Sequence, residues 1–292
     1  MDLGLHALGI GTGSERAVID AVSLAAEQAG FATLWAGEHV VMVDESTSSY
    51  PYSEDGTIAV PAVADWLDPL ICLSFAAAAT TSIGLATGVM LLPEHNPVLV
   101  AKQAASLDKL SGGRLTLGVG IGWSQEEFEA LGVPFGRRGA RTAEYVEAMR
   151  VVWRDDVASF HGDFVNFDNI RVNPKPLRNH HIPVVLGGNS ESALRRAATW
   201  GDGWYGFNLA DVEEVAQCAS TVRRLCREAV RDPGDLRLAV ALVDPQSADI
   251  GRLADIGIDE LVLVASPPDD PDTARAWVAD LARQWNPVLK SA

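Results

Sequence analysis

Cysteine is scarce: Cys72, Cys218 and Cys226 are the only three in 292 residues. An odd, widely spaced set without C-x-x-C supports neither a disulfide framework nor a zinc site, so all three read as small hydrophobes packed on helices. Long apolar runs are missing too. No stretch reaches the roughly 18 uninterrupted apolar residues of a membrane span. The opening MDLGLHALGIG has neither the basic leader nor the apolar segment of a secretion signal. Positive charge is in deficit, with 23 Lys and Arg against 39 Asp and Glu and a formal net charge of −16. That balance repels nucleic acid and anionic membranes. A Walker-type loop is absent, as are a G-x-G-x-x-G opening a helix after the first strand, H-x-H and H-E-x-x-H. A nicotinamide-type fold and a metal centre are thereby disfavoured. The expectation is a cytoplasmic chain acting on a small-molecule substrate, with no metal, no membrane and no nucleic acid.

What is present is apolar material, 48% of residues, with 21% charged, enough for a large core. Short apolar runs alternate with amphipathic segments. The runs are Leu3–Ile10, Thr33–Ala36, Ile83–Leu91, Leu115–Gly120, Pro183–Leu186, Gly203–Phe207, Leu236–Val243 and Glu260–Ala265. Helix-like stretches separate them, at Glu15–Ala29, Asp68–Thr80, Pro97–Leu110, Arg141–Trp153, Ser192–Trp200, Val212–Val230, Ala248–Ile256 and Thr273–Trp285. Alternation implies a parallel sheet, because parallel strands need crossovers. Eight repeats predict an α/β fold of the (β/α)8 TIM-barrel type, one domain over 1–292, with an open doubly wound sheet as the alternative. Gly30, Gly112 and Gly257 suit helix C-caps, and Asp68-Pro69 and Asn96-Pro97 suit helix starts. Two stretches break the rhythm. Residues 41–66, after the second strand, are placed on the catalytic rim as a substrate lid or an inert excursion. Residues 154–182 contain SFHGDFVNFDNIRV, a small hairpin-like decoration before the fifth strand.

Glycine gathers where strands end, at Gly88 on the third, at Gly118, Gly120 and Gly122 on the fourth, and at Gly187-Gly188 on the fifth. Glycine there permits close approach of a ligand ring, and tight barrel packing selects it too. Gly187-Gly188-Asn189-Ser190 joins a strand to a helix start, where amides and the helix dipole favour an anion. A plain Asn/Ser cap is the structural alternative. Glu38-His39 closes the second strand, and a histidine over a barrel mouth suits proton transfer as well as a structural bond. His6 reads equally as mouth or core, and His95 as a loop residue. His161, His180 and His181 are given no role.

Three segments carry a resemblance: LWAGEH (34–39), TGVMLLPEHNPVLVAKQAASLDKLSGGRLTLGVGIGWSQEEFEALG (87–132) and IPVVLGGNSESALRRAATWGDGW (182–204). Together they resemble the bacterial luciferase-like superfamily of flavin and deazaflavin oxidoreductases, and within it the branch using coenzyme F420, a deazaflavin. The resemblance implies a non-proline cis peptide at Gly88–Val89 behind the cofactor ring. It implies Gly120, Ile121 and Gly122 at the ring edge, and Gly187, Gly188, Asn189 and Ser190 on the cofactor's phosphate. Glu38 and His39 would lie at the reacting face, with His39 as acid or base, and Trp66 and Trp123 would wall the substrate pocket. Two departures narrow this. Ile121 stands where some flavin-using members place a phosphate-gripping arginine. Trp123 stands where the sugar-phosphate branch has a proton-donating glutamate. The expected activity is hydride transfer between F420 and an apolar or planar organic substrate. The alternatives are an FMN-dependent monooxygenase fed reduced flavin by a separate reductase, and a non-catalytic flavin-binding barrel. A barrel hydrolase finds no support in the scattered Glu38, Asp44 and Glu94. The resemblance further implies a homodimer.

Overall fold

The computed structural model describes residues 1–285. In chain order, β1 (Asp2–Leu8), α1 (Arg16–Ala29), β2 (Thr33–Ala36) and α2 (Pro69–Ala79) open the fold. They are followed by β3 (Gly84–Thr87), a two-residue continuation β4 (Met90–Leu91), α3 (Pro97–Ser111), β5 (Leu115–Gly120), α4 (Gln125–Ala130) and α5 (Arg138–Arg154). The hairpin β6 (Ala158–His161) and β7 (Asn166–Ile170) comes next. Then come β8 (Val184–Gly187), α6 (Glu191–Trp200), β9 (Gly203–Leu209), α7 (Val212–Glu228), β10 (Arg237–Leu242), α8 (Asp249–Ile256), β11 (Glu260–Val264) and α9 (Pro271–Gln284). Eight strands pair in parallel in the order β3-β2-β1-β11-β10-β9-β8-β5, and β5 returns to β3 through Leu85 opposite Leu115. That closure makes a TIM barrel, not an open sheet.

The punctuation read in the sequence works as its chemistry requires. The Asp68 carboxylate accepts from the Ile71 amide at 2.9 Å, and Asn96 accepts from Val98 and Leu99. Gly30, Gly112 and Gly257 all end helices in the left-handed conformation. The expected third strand is broken: its run Ile83–Leu91 holds a cis peptide at Gly88–Val89, and pairing resumes only at Met90. The hairpin lies where SFHGDFVNFDNIRV predicts it. One element, α4, is not anticipated, since six residues are too few for a helical period to be read.

The main core lies between the barrel's outer face and the helices, and it includes Cys72, Cys218 and Cys226, all free and buried. A smaller cluster, among it Trp35, Val185, Tyr205 and Val262, fills the barrel interior. Trp35 stacks on Tyr205 with centroids 4.5 Å apart, forming a floor beneath the strand ends. Among the described residues no helix is long and apolar enough to cross a membrane. The last seven residues, which complete the expected 1–292 unit, lie outside the described part.

Candidate functional site

β2 ends at Ala36, and the chain continues through Gly37 to Glu38 and His39 on the rim. The two side chains diverge. Glu38 is buried, and one carboxylate oxygen accepts from the Leu91 amide at 2.5 Å. Its other oxygen lies 3.1 Å from His95 Nε2. Burial lowers the pKa of His95, but Glu38 outweighs that effect and the net direction is upward. His95, read as a loop residue, is thus the ionic partner of Glu38.

His39 turns the other way. Its Nδ1 lies 2.8 Å from Glu127 Oε2, with the two side chains 7% and 0% exposed. The other oxygen of Glu127 accepts from the Val40 and Val41 amides at 2.6 and 3.0 Å. The carboxylate therefore orients the ring and fastens the chain that follows it. Trp66 and Trp123 meet the imidazole edge-on at 4.9 and 5.7 Å. Glu127 lies on α4, which is why sequence reasoning missed it. The signal was the EEF after GWS, an acidic pair opening a helix capped by Ser124.

Above the floor lies a cavity of about 580 Å³, in the range that takes an organic ligand. His6, His39, Trp66, Trp123, Tyr205 and Phe207 line it, together with residues of the 41–66 segment. That segment is tied down. The Glu126 carboxylate on α4 accepts from the Thr47 and Ser48 amides, and Asn208 donates to the Tyr52 carbonyl at 2.7 Å. Trp66 Nε1 donates to the Gly37 carbonyl at 3.2 Å. Tyr50 packs edge-on to Trp123, and Tyr52 to Phe207. The segment forms one wall of the cavity, in the rim position expected of a lid.

A groove of about 1050 Å³ adjoins the cavity and shares Tyr52, Val89, Leu91 and Trp123 with it. It carries Gly120, Ile121, Gly122, Gly187, Gly188, Asn189 and Ser190, so the expected cofactor residues from two strand ends come together. Gly88 and Val89 join them at the mouth, where Val89 packs across the glycines. A Cβ on Gly120 would lie 2.7 Å from Val89 Cγ2, and one on Gly118 would lie 1.9 Å from the Thr87 carbonyl oxygen. These two glycines are needed for strand approach whatever else they do. The Ser190 hydroxyl accepts from the Ala193 amide, so it acts as the cap of α6. Asn189 donates to the Phe207 carbonyl, but its Oδ1 is buried without a partner among the described residues.

Two arginines line the groove that the motif reading did not single out, Arg138 on α5 and Arg196 on α6. Burial first, then the charge of Arg138, lowers the pKa of Arg196, with Tyr52 partly offsetting. Burial also lowers that of Arg138, whose Nε donates to the Gly122 carbonyl. Among the described residues no carboxylate is paired with either guanidinium. Glu54 and Glu214 line the groove as well, but an anion set between the two guanidiniums would relieve their mutual repulsion. Glycine-walled space and two neighbouring arginines fit a planar, phosphate-bearing group, and the orphaned Asn189 oxygen fits a hydroxyl or N–H donor on it.

The comparisons with known proteins identify the family. The model of the luciferase-like monooxygenase family matches residues 4–249. An uncharacterized protein of Mycobacterium tuberculosis is 37% identical over 259 residues, covering 88% of this chain and 90% of that one. An FMNH2-dependent dimethylsulfone monooxygenase of Pseudomonas putida is 30% identical over 213 residues, 72% of this chain and 52% of that protein. Among solved structures, an F420-dependent secondary alcohol dehydrogenase in complex with an F420-acetone adduct superimposes with a TM-score of 0.76. It shares 18% identity and 99% coverage of each chain, which supports the fold. By family model and by sequence identity, this chain belongs to the luciferase-like monooxygenase family.

Proposed function

We propose that the protein transfers hydride between coenzyme F420 and an uncharged, planar or apolar organic substrate. The reading is carried by one observation: the His39–Glu127 pair borders an aromatic cavity that opens into a groove holding two arginines without carboxylate partners among the described residues. Gly88, Val89, Gly120, Ile121 and Gly122 would flank the ring, and Gly187–Ser190 with Arg138 and Arg196 would hold the phosphate end. A bound deazaflavin supplies the hydride chemistry. The chain's own residues do the rest. Glu127 holds the proton on His39 Nδ1, leaving Nε2 to accept a proton from a substrate hydroxyl or return one to a developing alkoxide. Trp66 and Trp123 exclude water from that nitrogen and wall the substrate pocket. Glu38, bound to Leu91 and His95, fixes the rim strand and, as a lining residue of the cavity, stands with His39 at the reacting face. Cytoplasmic location, a homodimer, one domain over the whole chain and a reductase supplying reduced cofactor belong to the same proposal.

The FMN-dependent monooxygenase is a second reading. Ile121 argued against FMN, but Arg138 and Arg196 bring cations to the same groove from two helices. Titration of the purified protein with F420 and with FMN, followed by absorbance, separates the two. F420 is expected to bind the more tightly; FMN binding without F420 binding would overturn the deazaflavin assignment. His39→Ala is expected to abolish turnover and leave cofactor affinity intact.

A further inference from the structure

His6 stands on β1 inside the barrel and faces the cavity. It is 7% exposed, and its Nδ1 lies 3.4 Å from the Tyr205 hydroxyl. Its Nε2 is buried and has no partner among the described residues. Gly37 and Gly88 crowd the ring: a Cβ on Gly37 would lie 3.2 Å from Nε2, and one on Gly88 3.1 Å from Cε1. Buried imidazole nitrogens are rarely left without a partner, so an unpartnered one on a residue that lines a cavity points to a ligand. The tautomer follows from the neighbours. The Tyr205 ring packs against Trp35 and Phe207, and among the described residues His6 Nδ1 is the partner its hydroxyl reaches. Its O–H therefore donates to Nδ1, and the proton of His6 sits on Nε2. Burial pushes the His6 pKa down to about 4, so the ring is a neutral donor.

The surroundings select the acceptor. Among the described residues no lysine or arginine lines this cavity, and its walls are mainly aromatic and aliphatic. A carboxylate or phosphate would find no counter-charge there, whereas a carbonyl oxygen needs one N–H. His6 belongs to the cavity and not to the groove with Asn189, Arg138 and Arg196, which places it at the substrate end. Resting on the oxidoreductase reading above, we infer that His6 is a specificity-determining residue whose Nε2–H holds the carbonyl oxygen of an uncharged planar substrate. His39 then serves the proton while His6 fixes the oxygen. The matching substrate class is the aromatic ketone or aldehyde, or the alcohol formed by its reduction.

Calorimetric titration of the full-length protein with acetylnaphthalene and with isopropenylnaphthalene, which has the same shape without the oxygen, tests the assignment. Wild type is expected to prefer the ketone about tenfold, the worth of one hydrogen bond. His6→Phe should bind both probes alike, and His6→Gln, which keeps an N–H, should restore the preference. His6→Leu is a second nitrogen-free variant should His6→Phe fail to fold. No measurable ketone binding to wild type, or a ketone preference that survives both nitrogen-free variants, overturns the inference. So does a His6→Phe protein that loses F420 or FMN affinity and keeps the ketone preference. The probes are read without cofactor, so failure of both cofactors to bind wild type would sink the oxidoreductase reading separately.

Discussion

Glu94 is buried, and among the described residues both its carboxyl oxygens are unpartnered. Burial, then the charges of Glu127 and Glu38, raises its pKa to about 9. It is therefore neutral at physiological pH, packed beside two carboxylates that do have partners. An acid whose folded pKa lies above its unfolded value keeps a proton the unfolded chain releases, so stability falls as pH rises from about 4.5 to about 9. Glu94→Gln, neutral throughout, should flatten that slope and raise the melting temperature in the alkaline half of this range. Calorimetric scans at its two ends check this, and an unchanged slope would refute the neutral carboxyl. Glu127→Gln acts on another quantity. The amide oxygen can still accept from Val40 and Val41, but its NH2 would face Nδ1 and force the other His39 tautomer. We expect kcat to fall about 100-fold or more with little change in KM. Steady-state kinetics across pH would show it.

At the scale of elements, the short α4 is the clamp of the site. Its consecutive residues Glu126 and Glu127 hold the 41–66 segment and His39, so one turn of helix fixes both wall and base. Glu126→Ala removes the acceptor for the Thr47 and Ser48 amides. The expected result is faster proteolysis within 41–66 and a raised KM, with global unfolding little changed; limited digestion of variant and wild type checks this. Helices α5 and α6 supply Arg138 and Arg196 from opposite sides of the hairpin. Arg196→Ala should weaken binding of a phosphate-bearing cofactor about 10- to 100-fold. It should also reduce the salt dependence of that binding, since one charge contact is removed. A cofactor titration at two ionic strengths would read both effects.

Across the whole molecule, the barrel's far end is held by charge rather than by grease. Glu260 is buried at the start of β11, where it accepts from Trp35 Nε1 at 3.0 Å and pairs with Arg237 at 3.1 Å. Arg237 also reaches Asp2, so β1, β2, β10 and β11 meet at one polar cluster. Burial raises the pKa of Glu260, and Arg237 opposes that rise. Arg237→Ala would leave the carboxylate less compensated. Because the arginine is nearly half exposed, water replaces part of what is lost, and a cost of about 1–3 kcal/mol is expected. The loss should grow as pH rises, because only the ionised carboxylate needs the guanidinium. Denaturant titrations at acidic and alkaline pH test this.

The sequence by itself determined the barrel, because eight apolar runs separated by amphipathic stretches can satisfy their backbones and bury their faces in few ways. Helix ends were legible for the same local reason: Asp68, Asn96 and the capping glycines act within three or four residues of themselves. The strand-end glycines and His39 were legible as candidates, since a barrel puts the ends of its strands on one rim. Only the tertiary structure decided the pairings. Glu127 reaches His39 across 88 residues, Glu38 reaches His95 across 57, and Tyr205 meets His6 across 199. Closure of the barrel makes these separations vanish, and no local pattern encodes which carboxylate serves which histidine. Arg138 and Arg196 were hidden likewise, as ordinary charged positions on two helices until packing set them beside one groove. A periodic pattern fixes the scaffold because hydrophobic burial is generic, whereas the partner of a polar atom depends on a single distance.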